Sequence, residues 1–381
     1  MDRVELRTRI EAKAHELGFA LVGVTRAAAS SHRHALERWL AEGKHGEMSW
    51  LAERAAEMAD VRLLLRDART VISVADRYHD GRPDRLLHGR GRIARYARGK
   101  DYHDLIRDRL RKLGRFIREC VPNCQTRLTG DIHPILEREQ AARALLGGIG
   151  KHTLLIRPGL GSYFLLGEIV TDADVAPSDV VSGDLVSGDV VSGDVAPTGL
   201  PVPDQPPDLC GSCTRCIDAC PTGAITPWSV DATRCTAYLT IEHRSAIPHE
   251  YFGRTGDWWF GCDACQEACP HAQPTRGSRR AGTNPMHAPR LDSVDLLEVL
   301  GWTEADRARL VVSSALKRAS LTMMKRNALL ALASIARDGT DPPDDALRRA
   351  VLARCAEIEA QVDEDGIVRD AARACAAALS A

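Results

Sequence analysis

Eight of the twelve cysteines stand at spacings that suit iron–sulfur ligation. Cys210, Cys213 and Cys216 are separated by two residues each, and Cys220 follows after three more, directly before Pro221. Bacterial ferredoxins use this run, with the fourth cysteine reaching across to a second cluster. A second run, Cys262, Cys265 and Cys269 before Pro270, lacks its first cysteine, because Trp259 stands there. Cys235, between the runs, is the substitute. The spacing therefore assigns Cys210, Cys213, Cys216 and Cys269 to one 4Fe–4S cubane. It assigns Cys220, Cys235, Cys262 and Cys265 to the other. Zinc would take these cysteines in pairs, and the gap before Cys-Pro has no zinc rationale. Disulfides would call for an exported chain, which nothing indicates. Cys120, Cys124, Cys355 and Cys375 lie outside the pattern and read as ordinary thiols.

Two clusters in series form an electron wire, and a wire needs a terminus where chemistry occurs. No Gly-x-Gly-x-x-Gly fingerprint opens a βαβ unit, and no Walker loop is present. The segment Gly130-Asp-Ile-His-Pro-Ile-Leu-Glu-Arg138 invites comparison with the Asp-x-His-x-x-Gly cobalamin box. The glycine position of that box holds Leu136, so His133 is not read as a cobalt ligand. From spacing alone, Asp131 is a catalytic candidate or a helix N-cap.

These residues must be positioned by something larger. The 381 residues allow two or three domains, and 44% apolar with 27% charged is ordinary globular composition. The formal net charge of -1 carries no signature, but charge is uneven. From Arg77 to Arg118 there are fourteen Lys or Arg against five Asp. Such a segment fits either a solvated helix face or a polyanionic partner. Met1 to Ile10 has neither an apolar core of signal-peptide length nor a twin-arginine pair, and no apolar stretch approaches membrane-spanning length. The expectation is a cytoplasmic protein with no membrane partner.

Residues 1–175 mix helix and strand signals, expected as an α/β domain within an α+β chain. Helices are expected over Val4–Leu17 and Tyr102–Glu119, and strands over Gly18–Val24, Val71–Ala75, Thr153–Ile156 and Tyr163–Val170. The last two would bracket the turn Arg157–Ser162. Residues 176–207 hold tandem Asp-x-Val-Ser-Gly units among prolines, read as a flexible connector rather than a calcium array. The cluster module spans 208–275. Beyond it, 285–381 reads as a HEAT-like helical tail. Ser293 and Thr303 are expected N-caps, with helices over Asp306–Val312, Leu316–Ala336, Asp345–Val362 and Gly366–Leu379.

Taken together, several motifs resemble the epoxyqueuosine reductase family. They are Gly91-Arg-Ile-Ala-Arg-Tyr-Ala-Arg-Gly-Lys-Asp-Tyr-His103, Asp131 with Pro134-Ile-Leu-Glu-Arg138, Gly150-Lys-His-Thr-Leu154, Gly161–Glu168, Cys220–Ile225, Arg234–Glu242, Gly261–Gln266 and Lys317-Arg318 with Lys325-Arg-Asn-Ala328. The resemblance spans nearly the whole chain outside the repeats. It implies a base-off cobalamin in the N-terminal domain, two 4Fe–4S clusters, a low-potential electron donor and a monomeric enzyme. The implied reaction removes the epoxide oxygen of epoxyqueuosine at the tRNA wobble position 34, the last step to queuosine. Corrinoid reductive dehalogenases share the cobalamin domain and cluster module, so reduction of a small molecule is the second reading. A ferredoxin-type electron carrier is the third, and it leaves the N-terminal domain without a task.

By the same resemblance Asp131 is the proton donor to the opened epoxide oxygen, with a pKa expected to be raised by burial. Asp131, Lys151, Leu155, Thr240 and Asp263 are implied around the corrin. Arg95, Arg98, Lys317, Arg318, Lys325 and Arg326 are expected on tRNA phosphates. The chain departs from the family pattern at Ile132 and His133, at Gly148 in place of Trp, at Met58 in place of Arg, and at His271-Ala272 in place of Trp-Asn. The cluster ligands are untouched, and the departures fall around the proposed pocket.

Overall fold

The computed structural model describes residues 1–79, 81–84, 87–178, 208–273, 283–337 and 345–380. The repeats of the expected connector, from Asp179 onward, lie outside them. The first helix, α1 (Arg3–Glu16), starts where Asp2 accepts hydrogen bonds from the Val4 and Glu5 amides. It buries Leu6, Ile10 and Ala14, the spacing of one helical face.

Four strands form the N-terminal sheet: β1 (Leu21–Arg26), β2 (Thr70–Arg77), then, past a separate strand β3 (Arg90–Ile93), β4 (Thr126–Thr129) and β5 (Phe164–Thr171). Their order is β1-β2-β5-β4, and every pairing is antiparallel. Strand alternation sends Ile72, Val74, Leu165 and Ile169 to one face, against α1 and α2 (Tyr102–Cys120), whose inner side carries Ile106, Leu110, Leu113 and Ile117. Ala75 and Leu166 face the other way, against α3 (Glu137–Arg143) and its C-terminal flank. Helices therefore cover both faces of an antiparallel sheet. This corrects the α/β label given to residues 1–175; the arrangement is α+β. The expected turn at Arg157–Ser162 does not close a hairpin. Leu155–Ile156 pairs with Gly148–Ile149, while β5 runs between β2 and β4.

Strand β3 leaves this unit. It pairs parallel with β6 (Trp258–Phe260) and antiparallel with β7 (Ser293–Asp295), so the sheet's central strand comes from the N-terminal segment. One apolar core joins this sheet to the tail. Trp259, in the place of the missing cysteine, is fully buried there. Its indole donates to the Met324 carbonyl at 2.9 Å and meets Trp302 edge-on at 5.9 Å between ring centres.

In the tail, Thr303 caps Glu304–Leu310 with a reciprocal Asp306 capping box. Ser293 opens a strand rather than a helix, and Asp295 is the cap that follows it. The helix expected over Leu316–Ala336 is broken into a 3-10 turn, Ala315–Arg318, and Leu321–Arg337. The latter packs with Asp345–Ala360 and Gly366–Ser380. No helix among the described residues is long and apolar enough to cross a membrane.

Candidate iron–sulfur and catalytic site

The cysteine runs sit on short helical turns, Arg215–Asp218 and Ala264–Ala268, with Cys235 immediately before α4 (Thr236–Ile241). Burial pushes the Cys216 thiol up, and Cys269, Cys210 and Cys213 beside it push it further. Burial also raises Cys262, with Cys235 and Cys265 as neighbours. Cys265 is raised likewise, by burial and then by Cys235, Asp263 and Cys220. Thiols this crowded ionise together only when cations share their charge. Among the described residues no three His, Cys, Asp or Glu side chains converge on a single-ion site. Amides already point at two sulfurs: Lys151 N–H donates to Cys210 Sγ at 3.4 Å and Ala224 N–H to Cys220 Sγ at 3.2 Å. Such N–H···S contacts are among the levers on cluster potential.

Gly261 sets the approach to Cys262. It has φ +71°, and a Cβ there would lie 2.6 Å from Ala94 Cβ, so glycine is required on both counts. Thr240 Oγ1 accepts from the Gly261 amide at 2.9 Å and donates to the Thr236 carbonyl at 2.8 Å. Asp263 is buried and accepts from the Arg95 amide at 2.8 Å. Burial lifts its pKa, against the pull of Arg95. Lys151 Nζ donates to the Gly211 and Cys213 carbonyls at 2.6 and 3.1 Å. Leu155 lies in the core behind β5. Four of the five residues expected around the corrin thus have side chains committed to the protein interior or the first cysteine loop.

Asp131 follows β4 on the rim of a cleft. The floor is apolar, from Ile106, Leu110, Leu128 and Leu166, and the rim carries Tyr102, His103 and Asp131. Tyr102 Oη donates to Asp131 Oδ2, and His103 Nε2 lies 3.3 Å from Asp131 Oδ1. The expected rise in the Asp131 pKa is not found. Burial pulls it up, but hydrogen bonds from His103 and Tyr102 and the His103 charge outweigh this and hold it below the usual carboxylate range. The raised carboxyls lie behind it. Burial pushes up Glu137 and fully buried Glu168, each further opposed by the other carboxylates nearby. From Asp131 the rings Tyr102, Tyr96 and Phe260 lead towards Gly261 and Cys262, with centres 5.8 and 6.5 Å apart. The free space in this cleft is about 60 Å³, room for a few atoms beside Asp131 but not for a corrin within it.

The basic residues divide. Arg95 is buried between Asp84, Asp263 and Glu267, and Arg98 is clamped by Asp84. Arg326 is fully buried and donates to the His243, Ser245 and Leu239 carbonyls. None of these three faces solvent, which corrects their assignment to tRNA phosphates. Lys325 is half-buried against Glu364. Lys317 and Arg318 are exposed, the first beside Asp101 and the second beside Glu242 and Trp50. On α2, Arg107, Arg111, Lys112, Arg115 and Arg118 face outward. Tyr102 and His103 close the Gly91–His103 motif, and their sequence signal is the Asp101-Tyr-His triplet at the start of α2.

Comparison with known proteins agrees with this layout. A family model described as epoxyqueuosine reductase QueG, DUF1730, matches residues 59–131, and one described as a 4Fe-4S double cluster binding domain matches residues 209–272. The epoxyqueuosine reductase of Escherichia coli K12 is 35% identical over 94% of this chain and 87% of its own. That of Xanthomonas campestris is 37% identical over 87% of each. A crystal structure of an epoxyqueuosine reductase with an epoxyqueuosine-modified tRNA-Tyr stem loop superposes with TM-score 0.75 at 24% identity, covering 99% of both chains. That structural likeness shows a shared fold.

Proposed function

The chain belongs to the epoxyqueuosine reductase family, and on that premise we propose that it reduces epoxyqueuosine to queuosine at position 34 of a tRNA. The observation that carries this reading is the placement of Asp131 over an apolar cleft, with an aromatic run leading from it to the second cysteine quartet. Cys210, Cys213, Cys216 and Cys269 would hold one 4Fe–4S cluster and Cys220, Cys235, Cys262 and Cys265 the other; the clusters would supply single electrons and cobalamin the strong reductant.

Ile106 and Leu110, packed between α2 and the sheet, keep water from beneath Asp131, Tyr102 and His103 at the cleft rim. Thr240 and Asp263 hold Gly261 and Arg95 in place, and Lys151 braces the Cys210 loop. Leu155 supports β5 from the core. Asp131 gives its proton to the oxygen released from the epoxide. Displacement of water by a bound cofactor and nucleoside strengthens the burial that raises its pKa. Lys317, Arg318 and the outer face of α2 offer cations to tRNA phosphates, and exposed Trp50 beside Arg318 offers a stacking face to an unpaired base. The HEAT-like tail would carry the docking surface, in a monomeric, cytoplasmic enzyme served by a low-potential donor.

The test is anaerobic reconstitution with iron, sulfide and cobalamin, followed by nucleoside mass analysis of epoxyqueuosine-containing tRNA. Conversion to queuosine supports the reading. A fully loaded protein that leaves epoxyqueuosine intact contradicts it.

A further inference from the structure

Deoxygenating an epoxide to an alkene takes up two electrons and two protons and releases the oxygen as water. A single carboxyl delivers one proton and must then be reloaded. Asp131 is poorly equipped to reload itself, because its neighbours favour the carboxylate. The geometry around it supplies the missing carrier. His103 Nε2 lies 3.3 Å from Asp131 Oδ1, and Nδ1 lies 2.6 Å from Asp101 Oδ1. An imidazole with carboxylates at both nitrogens is a double donor, the imidazolium form. Asp101 is almost wholly buried, and its second oxygen lies 2.5 Å from Lys317 Nζ, which is exposed. The His103 side chain is 26% exposed, so its ring edge reaches solvent.

We propose that His103 is the positioning and relay residue that hands the second proton to Asp131, aligned from behind by Asp101 and Lys317. The inference rests on the epoxyqueuosine reading. In the step, the His103 Nε2–H bond breaks and an Asp131 O–H bond forms. That O–H then breaks as the substrate oxygen takes the proton. No electrons move at these residues; both come through the iron–sulfur relay. Neutral His103 regains its proton from solvent.

The surroundings favour the charged ring. Burial works against it, but the hydrogen bonds to Asp101 and Asp131 outweigh this and lift His103 to about 9. Tyr102 stacks on the ring at 4.1 Å between centres, and Asp104 and Arg107 flank it on α2. From the loop after β4, His133 is held neutral by burial. Glu137 and Glu168 lie beyond Asp131, and neither donates a hydrogen bond to it; its side-chain partners are Tyr102 and His103. Arg318, whose charge reaches Asp131, is engaged by Glu242.

The experiment compares wild type, H103Q and H103A as reconstituted holoproteins on an epoxyqueuosine stem loop. Glutamine keeps a hydrogen bond to Asp131 but has no acidic proton to transfer. The expected result is a fall in kcat of roughly tenfold or more at pH 8 for H103Q. KM and iron content should stay near wild type, the rate should recover towards acid pH, and added imidazole should partly restore H103A. An H103Q enzyme with wild-type kcat and pH profile overturns the proposal. A second readout does not depend on turnover: histidine NMR of the holoprotein, with the His103 signal identified by its loss in H103Q. A titration well above that of free histidine that drops in D131N supports the relay, and an ordinary titration overturns it. If wild type fails to convert the stem loop, the functional reading fails, and the titration still decides whether His103 and Asp131 are coupled.

Discussion

The cysteine module and the Asp131 cleft are built in opposite ways. Most of the module is local: Cys210 to Cys220 lie in one loop, Cys262 to Cys269 in another, and spacing alone groups them. The cleft is assembled from three distant segments. Asp101–His103 begin α2, Asp131 opens the loop after β4, and Lys317 lies in a 3-10 turn of the tail. Soft metal clusters need a fixed set of thiolates, so their chemistry is written in residue type. Proton transfer depends on which groups lie within about 3 Å of a carboxylate and how wet it is, and only the fold decides that.

The largest test of this contrast is Cys235→Ser, which removes the one proposed ligand standing outside both runs. It should lose one cluster, about half of the iron, and all turnover; full iron content would break the quartet assignment. Asp131→Asn should keep iron and cobalamin while turnover falls by roughly 10²–10⁴-fold, measured as queuosine formed per chain. A fully active variant would remove Asp131 from the chemistry. Trp259→Ala should destabilise the chain by about 3–5 kcal/mol through the cavity left between module and tail, seen as a lower melting temperature. An unchanged melting temperature would show that the shared core is not continuous. Lys317→Ala should weaken stem-loop binding a few-fold at low salt and less at high salt, since an exposed cation acts through screened phosphate contacts.

The smallest effect is on pH. The raised pKa of His103 means its pairing with Asp101 and Asp131 contributes fully below about pH 6.5 and is lost as pH rises through about 9. The lowered pKa of Asp131 adds stability above the ordinary carboxylate range that is lost on acidification. Melting temperature should therefore decline modestly between about pH 6.5 and pH 9 in wild type, and that decline should be weaker in H103Q.

Much of the architecture was legible from the sequence. Thr303 marks a helix start because its short polar side chain satisfies the first amides, whereas Ser293, of the same type, opens a strand. The apolar spacing of α2 located its buried face. Sheet partners were not legible: nothing in Arg90–Ile93 says that it pairs with Trp258–Phe260 and Ser293–Asp295. Nor did the count of fourteen basic residues between Arg77 and Arg118 tell inward from outward. Arg95, Arg98 and Arg109 turn inward to Glu267, Asp84 and Asp76, of which only Glu267 comes from a remote segment, while Arg111, Lys112 and Arg115 face water. The low pKa of Asp131 was likewise hidden, because it depends on where His103 points.

The account joins both regions into one electron path, and a single-turnover experiment tests that most directly. Holoprotein reduced under anaerobic conditions, then freed of donor, is mixed with the epoxyqueuosine stem loop while cluster oxidation and nucleoside mass are followed together. Queuosine appearing in step with loss of the reduced-cluster signal is the expected result. Clusters that stay reduced while product forms, or that reoxidise without product, would contradict it.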